Sequence, residues 1–558
     1  MRNAAVFEPP AALPAAGRPA AARRTGSLHS LSGIALIGAG LLALTVYFYR
    51  LSLAKTTNAA DIAGLLLCAE DMVRGNWLLH GWILGTDSLW LTDMLVYAGG
   101  VAVRGLDPVL LHLGPTLMSV ALVGTAVAAA TAGRRGPLSA AAALLCVLPI
   151  AFPSPMMLEV LMGPFHTGAI VVALVSAVAL YYAQEPSRPR RRWALFAVAF
   201  VLLSAGAFSD PYTTVLALAP IAVASIVRTL TVQRPEERWP SLLPLLAVAA
   251  AWYGVAAISW WVRYLGGAQI VPFAPATLPY ASLGESVSSL VLALLQLGGG
   301  DVFGRAIDGS LVSIVLRLAY LAAGALATWT VLRHVLRGAL AGRAPGDWLT
   351  FVLATSAAAA LVGNVLGTAD LNTRYRLPLL VMMSVVLARQ FGAAGMRWIG
   401  SRKTLAAAAG IAILVLYPGS WSRYMSPYVP KRASSYAVLG QWLRARGLDD
   451  GYGGYWEASI VTVATGGAVR VRPVVSTKVY QPGLGPSGMP PATWRLTRIK
   501  MSTRDTWYAA APIPFFVVFD PASSWDRATG VDRDVATRTY GPPRHVYHVD
   551  RFTVLVWD

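Results

Sequence analysis

Carboxylate side chains that could carry out chemistry are concentrated in one region near the N-terminus. Its first part reads DIAGLLLCAEDMVRGNW, and the region as a whole holds Asp61, Glu70, Asp71, Asp87 and Asp93. A carboxylate can remove or orient the proton of an attacking hydroxyl group, and its oxygens can bind a divalent cation. This region is therefore the first candidate for a functional site.

Structural roles are the alternatives for these acids. Asp61 opens a stretch in which apolar residues recur with helical spacing on one face: Ile62, Leu65, Leu66, Ala69 and Val73. A carboxylate at a helix N-terminus is favoured by the helix dipole, which alone could explain Asp61. For Asp71, near the other end of the stretch, the alternative is solvation or pairing with Arg74.

A second group lies in PMMLEVLMGPFHTG (155–168), where Glu159 and His166 flank apolar segments. Histidine is the side chain that titrates near neutral pH. A continuous helix would place the two residues on one face, but Gly163-Pro164 predicts a break between them. The structural alternative for His166 is a cap on the following helix.

Asp210 and a late basic segment complete the candidates. Asp210 stands in SDPYTT, where Pro211 predicts a helix start and an N-cap role is the structural alternative. The basic segment is ADLNTRYRLP, with Asp370, Arg374, Tyr375 and Arg376. Guanidinium groups match phosphate oxygens in pairs, so an anionic lipid phosphate would compensate these charges, as would an internal ion pair with Asp370.

The elements that position these residues are membrane spans. Hydrophobic residues make up 56% of the 558 residues and charged ones only 13%, against about 25% charged in soluble domains. A span needs about 17–25 apolar residues. The sequence predicts eleven: 31–52, 109–132, 137–153, 166–184, 193–209, 211–230, 241–263, 310–335, 347–366, 378–396 and 403–420.

Loop charges predict the orientation. Basic residues concentrate on one side, in residues 1–30, Arg134/Arg135, 188–192, 228–238, 333–343 and 389–403, and cytoplasmic loops are the basic ones. Two further apolar stretches, 89–103 and 281–299, carry Asp93 and Glu285. If the first crossed alone, Arg190–Arg192 would lie outside, so it is predicted to be an interfacial helix on the outer face, and the same parity argument applies to the second. The net charge of +19 then reports topology, not nucleic-acid binding.

The domain prediction follows. Residues 1–30 form a disordered cytoplasmic tail. Residues 31–420 form the all-α transmembrane domain, in which 54–108 are the first extracytoplasmic loop with interfacial helices. Residues 421–558 lack a run long enough to span and are predicted to form a small extracytoplasmic α/β domain, called the outer domain below after this prediction. A helix at 433–446 and strands at 469–473, 513–519, 544–549 and 551–557 are predicted in it.

Absent motifs exclude several functions. The sequence has no GxxxxGK[ST] phosphate loop, HExxH or CxxC metal motif, or GxSxG nucleophile elbow. Its two cysteines, Cys68 and Cys146, cannot form a disulfide framework or a four-thiolate metal site. ATP hydrolysis and a zinc site are therefore unsupported.

The order of features resembles the GT-C superfamily of integral-membrane glycosyltransferases, particularly the bacterial relatives of protein mannosyltransferases and lipid A aminoarabinose transferases. The resemblance covers the whole chain. Four segments carry it: the acidic outer loop from Asp61 to Trp77, the basic turn Gly133-Arg134-Arg135-Gly136, RYRLP (374–378), and GYWEASIVTVATGGAVRV in the outer domain. Two segments depart from it, because Asp61-Ile62 replaces the usual Asp-Glu pair and GTDSLW (85–90) replaces a proline-rich element.

The resemblance implies an activity. Such enzymes transfer a sugar from a polyprenyl phosphate to a hydroxyl or amine of a lipid, glycan or protein acceptor outside the cytoplasm, usually with inversion. It implies catalytic roles for Asp61, as base, and Asp71. It implies that the donor phosphate binds at Arg374, Tyr375 and Arg376, and that Glu159, His166 and Asp210 position the substrates.

The resemblance also implies a multi-pass protein of a bacterial inner membrane with a cytoplasmic N-terminus. Many members of the superfamily work without a metal, and whether this protein needs a divalent cation, which Asp61 and Asp71 could hold, stays open. Three other functions stay open: a transporter or flippase of a lipid-linked or anionic substrate, a polysaccharide polymerase or ligase, and a non-enzymatic scaffold. Arg317, inside the eighth span, is the main residue that favours transport.

Overall fold

The structure is a computed structural model. It describes residues 26–56, 59–134, 143, 147–163, 166–185, 189–272, 277–303, 310–343, 345–367, 373–399, 415–425, 435–480, 485–508 and 516–557. The predicted tail before residue 26, Asp370, and parts of the predicted spans 137–153 and 403–420 lie outside these ranges.

Helices dominate the first three quarters of the chain. In order they are α1 Gly26–Lys55, α2 Ala60–Val73, α3 Asp93–Arg104, α4 Leu110–Thr131, α5 Pro155–Leu161, α6 Thr167–Ala183, α7 Pro189–Ser209, α8 Ala219–Thr231, α9 Pro235–Tyr264, α10 Leu283–Gly298, α11 Leu311–Leu340, α12 Trp348–Leu366 and α13 Leu377–Ile399. A π-helical turn, Thr214–Leu218, leads into α8, and a 3₁₀ turn, Thr373–Arg376, leads into α13. Residues 147–151 and 415–425 are also helical.

Seven helices of the described ranges are long and apolar enough to cross a membrane. They are Leu110–Thr131, Pro189–Ser209, Thr214–Thr231, Arg238–Tyr264, Tyr280–Gly298, Leu311–Leu340 and Trp348–Leu366. Six of them coincide with predicted spans. The predicted span 166–184 corresponds to a shorter apolar helix, Thr167–Ala183. Together with the outer domain described below, this confirms the predicted fold class, an all-α polytopic membrane domain with a small α/β domain.

The helix Tyr280–Gly298, which contains α10, differs from expectation. Its length and composition suit a membrane span, whereas loop charges predict an interfacial helix. Its contacts favour the outer face. Near its start, the Ser286 hydroxyl donates to the carbonyl of Val365 at 2.9 Å, at the end of α12. Near its other end, the Leu297 carbonyl accepts from Ser154 at 2.9 Å, and Ser154 belongs to a predicted outer loop.

A buried arginine joins α13 to the end of α4 and to the start of α12. Arg389 of α13 donates to both carboxylate oxygens of Asp347, at 2.8 and 3.0 Å, and to the carbonyl of Ala129 at 2.6 Å. Asp347 also caps α12 by accepting from the Thr350 amide. The ion pair with Asp347 and the carbonyl acceptor compensate the cost of burying this guanidinium.

The acidic outer loop folds as a buried helix. Helix α2 begins at Ala60, as the position of Asp61 predicts, but apolar residues on every side of it are buried, and Val73 of the predicted apolar face is 39% exposed. The reason is that α3 covers one side of α2 while the outer domain covers another. Most of the predicted interfacial stretch, from Asp93 to residue 103, belongs to α3.

The C-terminal part of the chain folds around a six-stranded mixed sheet. Its strands, in spatial order, are β10 His545–Val549, β11 Phe552–Val556, β9 Phe516–Phe519, β3 Asp450–Gly453, β4 Arg470–Ser476 and β7 Leu496–Arg498. Strand β3 is parallel to β4 and β9, and the other pairs are antiparallel. The helices are α14 Ser435–Arg444, α15 Tyr455–Ala464, α16 Ser524–Thr529 and α17 Arg533–Tyr540. A hairpin pairs β5 Val479–Tyr480 with β6 Gly485–Pro486.

A second, three-stranded sheet joins the outer domain to the membrane domain. Strand β1, Trp82–Leu84, lies between β2, Gln269–Ile270, and β8, Thr503–Arg504. One hydrophobic core also runs from α2 and α3 into α14 and α15. The outer domain is therefore packed on the first outer loop, which brings its residues next to Asp61.

Candidate functional site

Asp61 contacts the outer domain directly. It lies in the first turn of α2, and its Oδ1 accepts a hydrogen bond from the hydroxyl of Tyr455, the first residue of α15. Within the described ranges Oδ2 accepts no hydrogen bond, and the residue is half-buried. One oxygen is thus held in place and the other remains available.

Four effects act on the ionisation of Asp61. Burial raises its pKa, while the Tyr455 hydrogen bond and the positive charge of Arg374 lower it; the negative charge of Asp87 raises it. Burial is the largest of these effects, so the pKa of Asp61 lies above that of an ordinary aspartate. A carboxylate with a raised pKa is a stronger base once it is ionised.

Asp87 is the charge that the whole site shares. It stands in the loop between β1 and α3, half-buried, and its charge acts on Asp61, Arg374, Tyr375, Tyr455 and His166. Among the residues that the structure describes, none donates a hydrogen bond to the Asp87 carboxylate. Its carboxylate is therefore available to a ligand.

Asp71 has a different environment. Its Oδ1 accepts from Arg504 at 2.8 Å, and its Oδ2 accepts from the Trp82 indole at 2.8 Å and from Asn76 at 2.6 Å. The predicted alternative of an Asp71–Arg74 pair is not formed, because Arg74 pairs with Glu70 at 2.7 Å. These contacts give Asp71 a structural role in joining the outer loop to β8.

His166 and Asp210 form a buried pair. Nδ1 of His166 lies 2.7 Å from Oδ2 of Asp210, and the side chains are 3% and 1% exposed. His166 has a φ of 60°, in the left-handed region, and takes the N-cap position of α6 without a side-chain capping bond. The helix that carries Glu159 therefore ends before His166, as Gly163-Pro164 predicts. The imidazole ring of His166 is directed towards Asp210.

Asp210 uses its two carboxylate oxygens for two different contacts. Its Oδ1 accepts from the Tyr212 amide at 2.9 Å, and this contact supports the start of the next helix. Its Oδ2 holds His166. The π-helical turn Thr214–Leu218 follows closely, and such turns are frequent at functional sites.

Another buried acid, Asp93, lies beside this pair. It is 1% exposed, and its Oδ2 has no hydrogen-bond partner among the described residues. Burial, together with the charge of Asp210, raises the pKa of Asp93 to about 6. Gly168 permits this approach, since a Cβ atom there would lie 2.1 Å from Oδ2 of Asp93.

Tyr375 separates the histidine from Arg374. The centroids of the His166 and Tyr375 rings are 4.7 Å apart. The Arg374 guanidinium carbon lies 4.9 Å from the centroid of the Tyr375 ring, and its Nη2 donates to the Tyr375 hydroxyl at 3.1 Å. The main chain here is fixed by the Tyr212 hydroxyl and the Asn364 amide, which donate to the Tyr375 carbonyl at 2.9 and 3.0 Å. Arg374 is thus a positioned cation beside Asp61 and Asp87.

Arg376 faces away from this cation. It is 1% exposed, and its Nη2 donates to the Ser289 hydroxyl of α10 at 3.0 Å. This contact ties the predicted phosphate-binding segment to α10. Arg374, which is only half-buried, is the better placed of the two arginines to meet a ligand.

The remaining predicted residues are less informative. Glu159 is half-buried on α5, and its positioning role stays a prediction. Asp370 lies outside the described residues. Among those described, no three His, Cys, Asp or Glu side chains converge as they would around a metal ion, and Asp71 is already bound by Arg504.

Tyr455, Asp87, Tyr212 and Asn364 are site residues that the sequence did not single out for a role. Tyr455 could have been found only through the resemblance, because GYWEASIVTVATGGAVRV contains it. Asp87 is visible as one of the outer-loop acids. Tyr212 and Asn364 carry no signal, since each acts by holding the main chain of a residue that is distant in sequence.

The arrangement can support proton removal beside a stabilised anion. A carboxylate with a free oxygen, Asp61, lies close enough to Arg374 for their charges to interact. A nucleophile deprotonated at one end and an anionic leaving group at the other would meet these two charges. The His166–Asp210 pair adds a buried imidazole whose Nε2 has no partner within the described residues.

Solved structures share this fold. The crystal structure of ArnT from Cupriavidus metallidurans in the apo state is 13% identical, with a TM-score of 0.54, and the alignment covers 94% of this chain and 98% of that one. The structure of the same protein bound to undecaprenyl phosphate is 14% identical, with a TM-score of 0.50 and the same coverage. No protein-family model matches the sequence, and no curated protein matches it either. At this level of identity the likeness shows that this chain has the fold of these structures.

Proposed function

We propose that this protein is a membrane glycosyltransferase that moves a sugar from a polyprenyl phosphate to an acceptor on the extracytoplasmic face. The observation that carries the proposal is the closeness of Asp61, with one free carboxylate oxygen, to the positioned cation Arg374. A base and a fixed positive charge are the two groups that such a transfer needs.

The proposed reaction is a single displacement. The acceptor hydroxyl or amine attacks the anomeric carbon, and its proton passes to the free oxygen of Asp61. The bond between that carbon and the phosphate oxygen breaks, and the polyprenyl phosphate leaves with the electron pair. Arg374 stabilises the charge that develops on the phosphate, and the anomeric configuration is inverted. The His166–Asp210 pair positions hydroxyl groups of the sugar or the acceptor through the free Nε2 of the imidazole.

The donor class is supported by the similar structures. ArnT from Cupriavidus metallidurans, which shares the fold, has been crystallised with undecaprenyl phosphate, a polyprenyl phosphate. The Arg374–Tyr375 pair of this chain offers a guanidinium for such a phosphate. We place the protein in a bacterial inner membrane because of its resemblance to bacterial enzymes and its Ala/Arg-rich composition. We place its N-terminus in the cytoplasm because basic loops face that side.

Transport is the less favoured function. Arg317 of α11, the main sequence feature that suggested a polar path, donates to the carbonyl of Phe152 at 2.6 Å. The Tyr417 and Tyr424 rings lie 4.7 and 4.9 Å from its guanidinium carbon. A cation held by a carbonyl and two aromatic rings serves the packing of α11 and is not free to accompany a substrate.

Native mass spectrometry of the detergent-purified protein tests the donor site. Wild type, Arg374→Ala and Arg74→Ala are incubated with undecaprenyl phosphate. Arg74 is the matched control, because it is a well-exposed outer-loop arginine whose partner is Glu70. We expect wild type and Arg74→Ala to retain the lipid and Arg374→Ala to lose it. Equal retention by all three, or retention by none, would contradict the donor assignment.

The base is tested separately. Asp61→Asn keeps the size of the side chain but removes its basicity, so transfer should fall about 10²–10⁴-fold. Lipid retention in the mass spectrometer should remain. A panel of undecaprenyl-phosphate monosaccharides serves as donors in membrane vesicles, with release of undecaprenyl phosphate as the readout. Full transfer by Asp61→Asn at normal expression would show that another group is the base.

A further inference from the structure

The outer domain places one side chain directly on Asp61. Tyr455 is 4% exposed and donates its hydroxyl hydrogen to Oδ1, although 394 residues separate the two in the chain. Hydrogen bonds to a carboxylate are among the stronger ones in proteins. This bond therefore restricts how the Asp61 carboxylate can turn.

The Tyr455 ring is itself fixed by its surroundings. It contacts Trp456 and Trp525, with ring centroids 5.6 and 6.0 Å away. Behind it, α15 buries Ala458 and Val461 in the core that it shares with α2. A hydroxyl on such a ring has little freedom to leave the carboxylate.

The start of α15 is also closely packed. Gly454, its N-cap residue, stands against two buried carboxylates, and a Cβ atom there would lie 2.3 Å from Oδ1 of Asp526 and 2.5 Å from Oε2 of Glu457. Only glycine allows this approach. The end of the helix that carries Tyr455 is thus held in one place.

We infer that Tyr455 is a positioning residue for Asp61, so that the outer domain is part of the active site and not merely a cover over it. The inference rests on the proposed function, in which Asp61 is the base. With Oδ1 held by Tyr455, Oδ2 is the oxygen that faces the acceptor. Correct orientation of a base is a large part of its catalytic effect.

Three groups face Asp61 and determine when it ionises. Tyr455 and Arg374 stabilise the carboxylate, and Asp87 opposes it. Replacing Tyr455 by Phe keeps the ring and removes only the hydroxyl, so the pKa of Asp61 should rise. Any process that needs the protonated acid should then extend to higher pH.

Carbodiimide labelling measures this without catalysis. Dicyclohexylcarbodiimide reacts with protonated carboxyl groups, and mass spectrometry of the peptide that contains Asp61 gives its labelling against pH in the full-length protein. Asp61→Asn sets the background. We expect Tyr455→Phe to move the labelling midpoint upward by about one pH unit. Tyr508→Phe, the matched control, removes a hydroxyl of the same domain that donates to the Pro473 carbonyl at 2.6 Å, and it should not move the midpoint.

A second variant at position 455 distinguishes an effect of the hydrogen bond from an effect of misfolding. Trifluorotyrosine at position 455 keeps the ring in place and makes the hydroxyl a stronger donor, so the midpoint should move downward. The apparent pKa on the acid side of the pH–rate profile, measured with undecaprenyl-phosphate monosaccharide donors, should follow the same order. It should be highest for Tyr455→Phe, intermediate for wild type and lowest for trifluorotyrosine. Loss of packing alone would lower the rate equally at every pH.

Two outcomes would overturn the inference, and they are distinguishable. An unchanged labelling midpoint in both Tyr455 variants would mean that Tyr455 does not govern Asp61. Shifted labelling combined with no turnover and no retention of any donor by wild type would mean that the contact exists but serves no transfer. In that second case the proposed function fails as well.

Discussion

Nδ1 of His166 lies 2.7 Å from Oδ2 of Asp210, and both side chains are almost completely buried. The pair joins the start of α6 to the turn that follows α7. Tyr375 packs on the histidine ring from the segment that carries Arg374. These two contacts of His166 therefore connect three parts of the membrane domain at the predicted outer surface.

Removing either member of this pair should destabilise the protein. Asp210→Ala and His166→Ala each leave a buried polar partner uncompensated, at a cost of about 3 kcal/mol. The double variant should lose less than the sum of the single losses, with a coupling of about 1–3 kcal/mol. Thermal unfolding of the detergent-purified protein measures all three. Additive losses would mean that the contact is not formed in the folded protein.

Asp71 should behave unlike Asp61 when it is replaced. Asp71→Ala removes the acceptor of Arg504, Trp82 and Asn76, so it should cost about 2 kcal/mol of stability and loosen β8. Hydrogen–deuterium exchange of residues 503–504 reports the loosening. Variants that fold should keep a substantial part of the transfer activity.

Glu70→Ala is the control for Asp71→Ala. Glu70 belongs to the same helix, but its partner Arg74 is 72% exposed, so the loss should be below about 1 kcal/mol. If a well-folded Asp71→Asn protein instead lost transfer as completely as Asp61→Asn, the catalytic role predicted from the resemblance would hold.

Asp93 should make stability depend on pH. Its pKa is raised from 3.8 to about 6, so the folded protein holds this proton more tightly than the unfolded chain does. The resulting stability is fully present below pH 3.8 and is lost as the pH rises to about 6, a change of about 3 kcal/mol. Asp93→Asn cannot ionise, so it should flatten this part of the stability profile and be relatively more stable at pH 8 than at pH 4.5.

Melting temperatures of wild type and Asp93→Asn across pH 4–8 test this prediction. Glu70→Gln, which also neutralises an acid of the outer loop, serves as the control and should leave the profile unchanged. Parallel profiles for wild type and Asp93→Asn would mean that Asp93 is not buried as a neutral acid.

The sequence predicts the elements of this fold better than their contacts. Apolar runs locate the described spans, and apolar-polar alternation locates the strand that becomes β4. The strands that become β9, β10 and β11 are also predicted from their local sequence. Both signals are local, because they arise from the period of one helix or strand. The start of α2, with Asp61 in its first turn, is also predicted from such a local signal.

The contacts of the site depend on packing between distant segments. Nothing near Tyr455 indicates that its hydroxyl meets Asp61, and nothing near Asp71 indicates that Arg504 replaces Arg74 as its partner. The position of Val73 on the predicted apolar face does not predict its exposure for the same reason. The outer domain covers other sides of α2, so the apolar face alone does not determine which residues are buried. A single sequence gives spacing along the chain, whereas these contacts arise from tertiary docking.

Helix α10 provides the last prediction, because its length permits a span while both of its ends contact residues assigned to the outer face. We expect it to lie at the outer surface of the membrane. Cysteines introduced at Tyr280 and Asp301, just before and after the helix, should then both react with an impermeant maleimide in intact cells. Arg191→Cys, in a predicted cytoplasmic loop, should react only after permeabilisation. If positions 280 and 301 react from opposite sides, α10 spans the membrane, every later loop changes sides, and Arg374 could not share the outer face with Asp61 unless a second span is also misassigned.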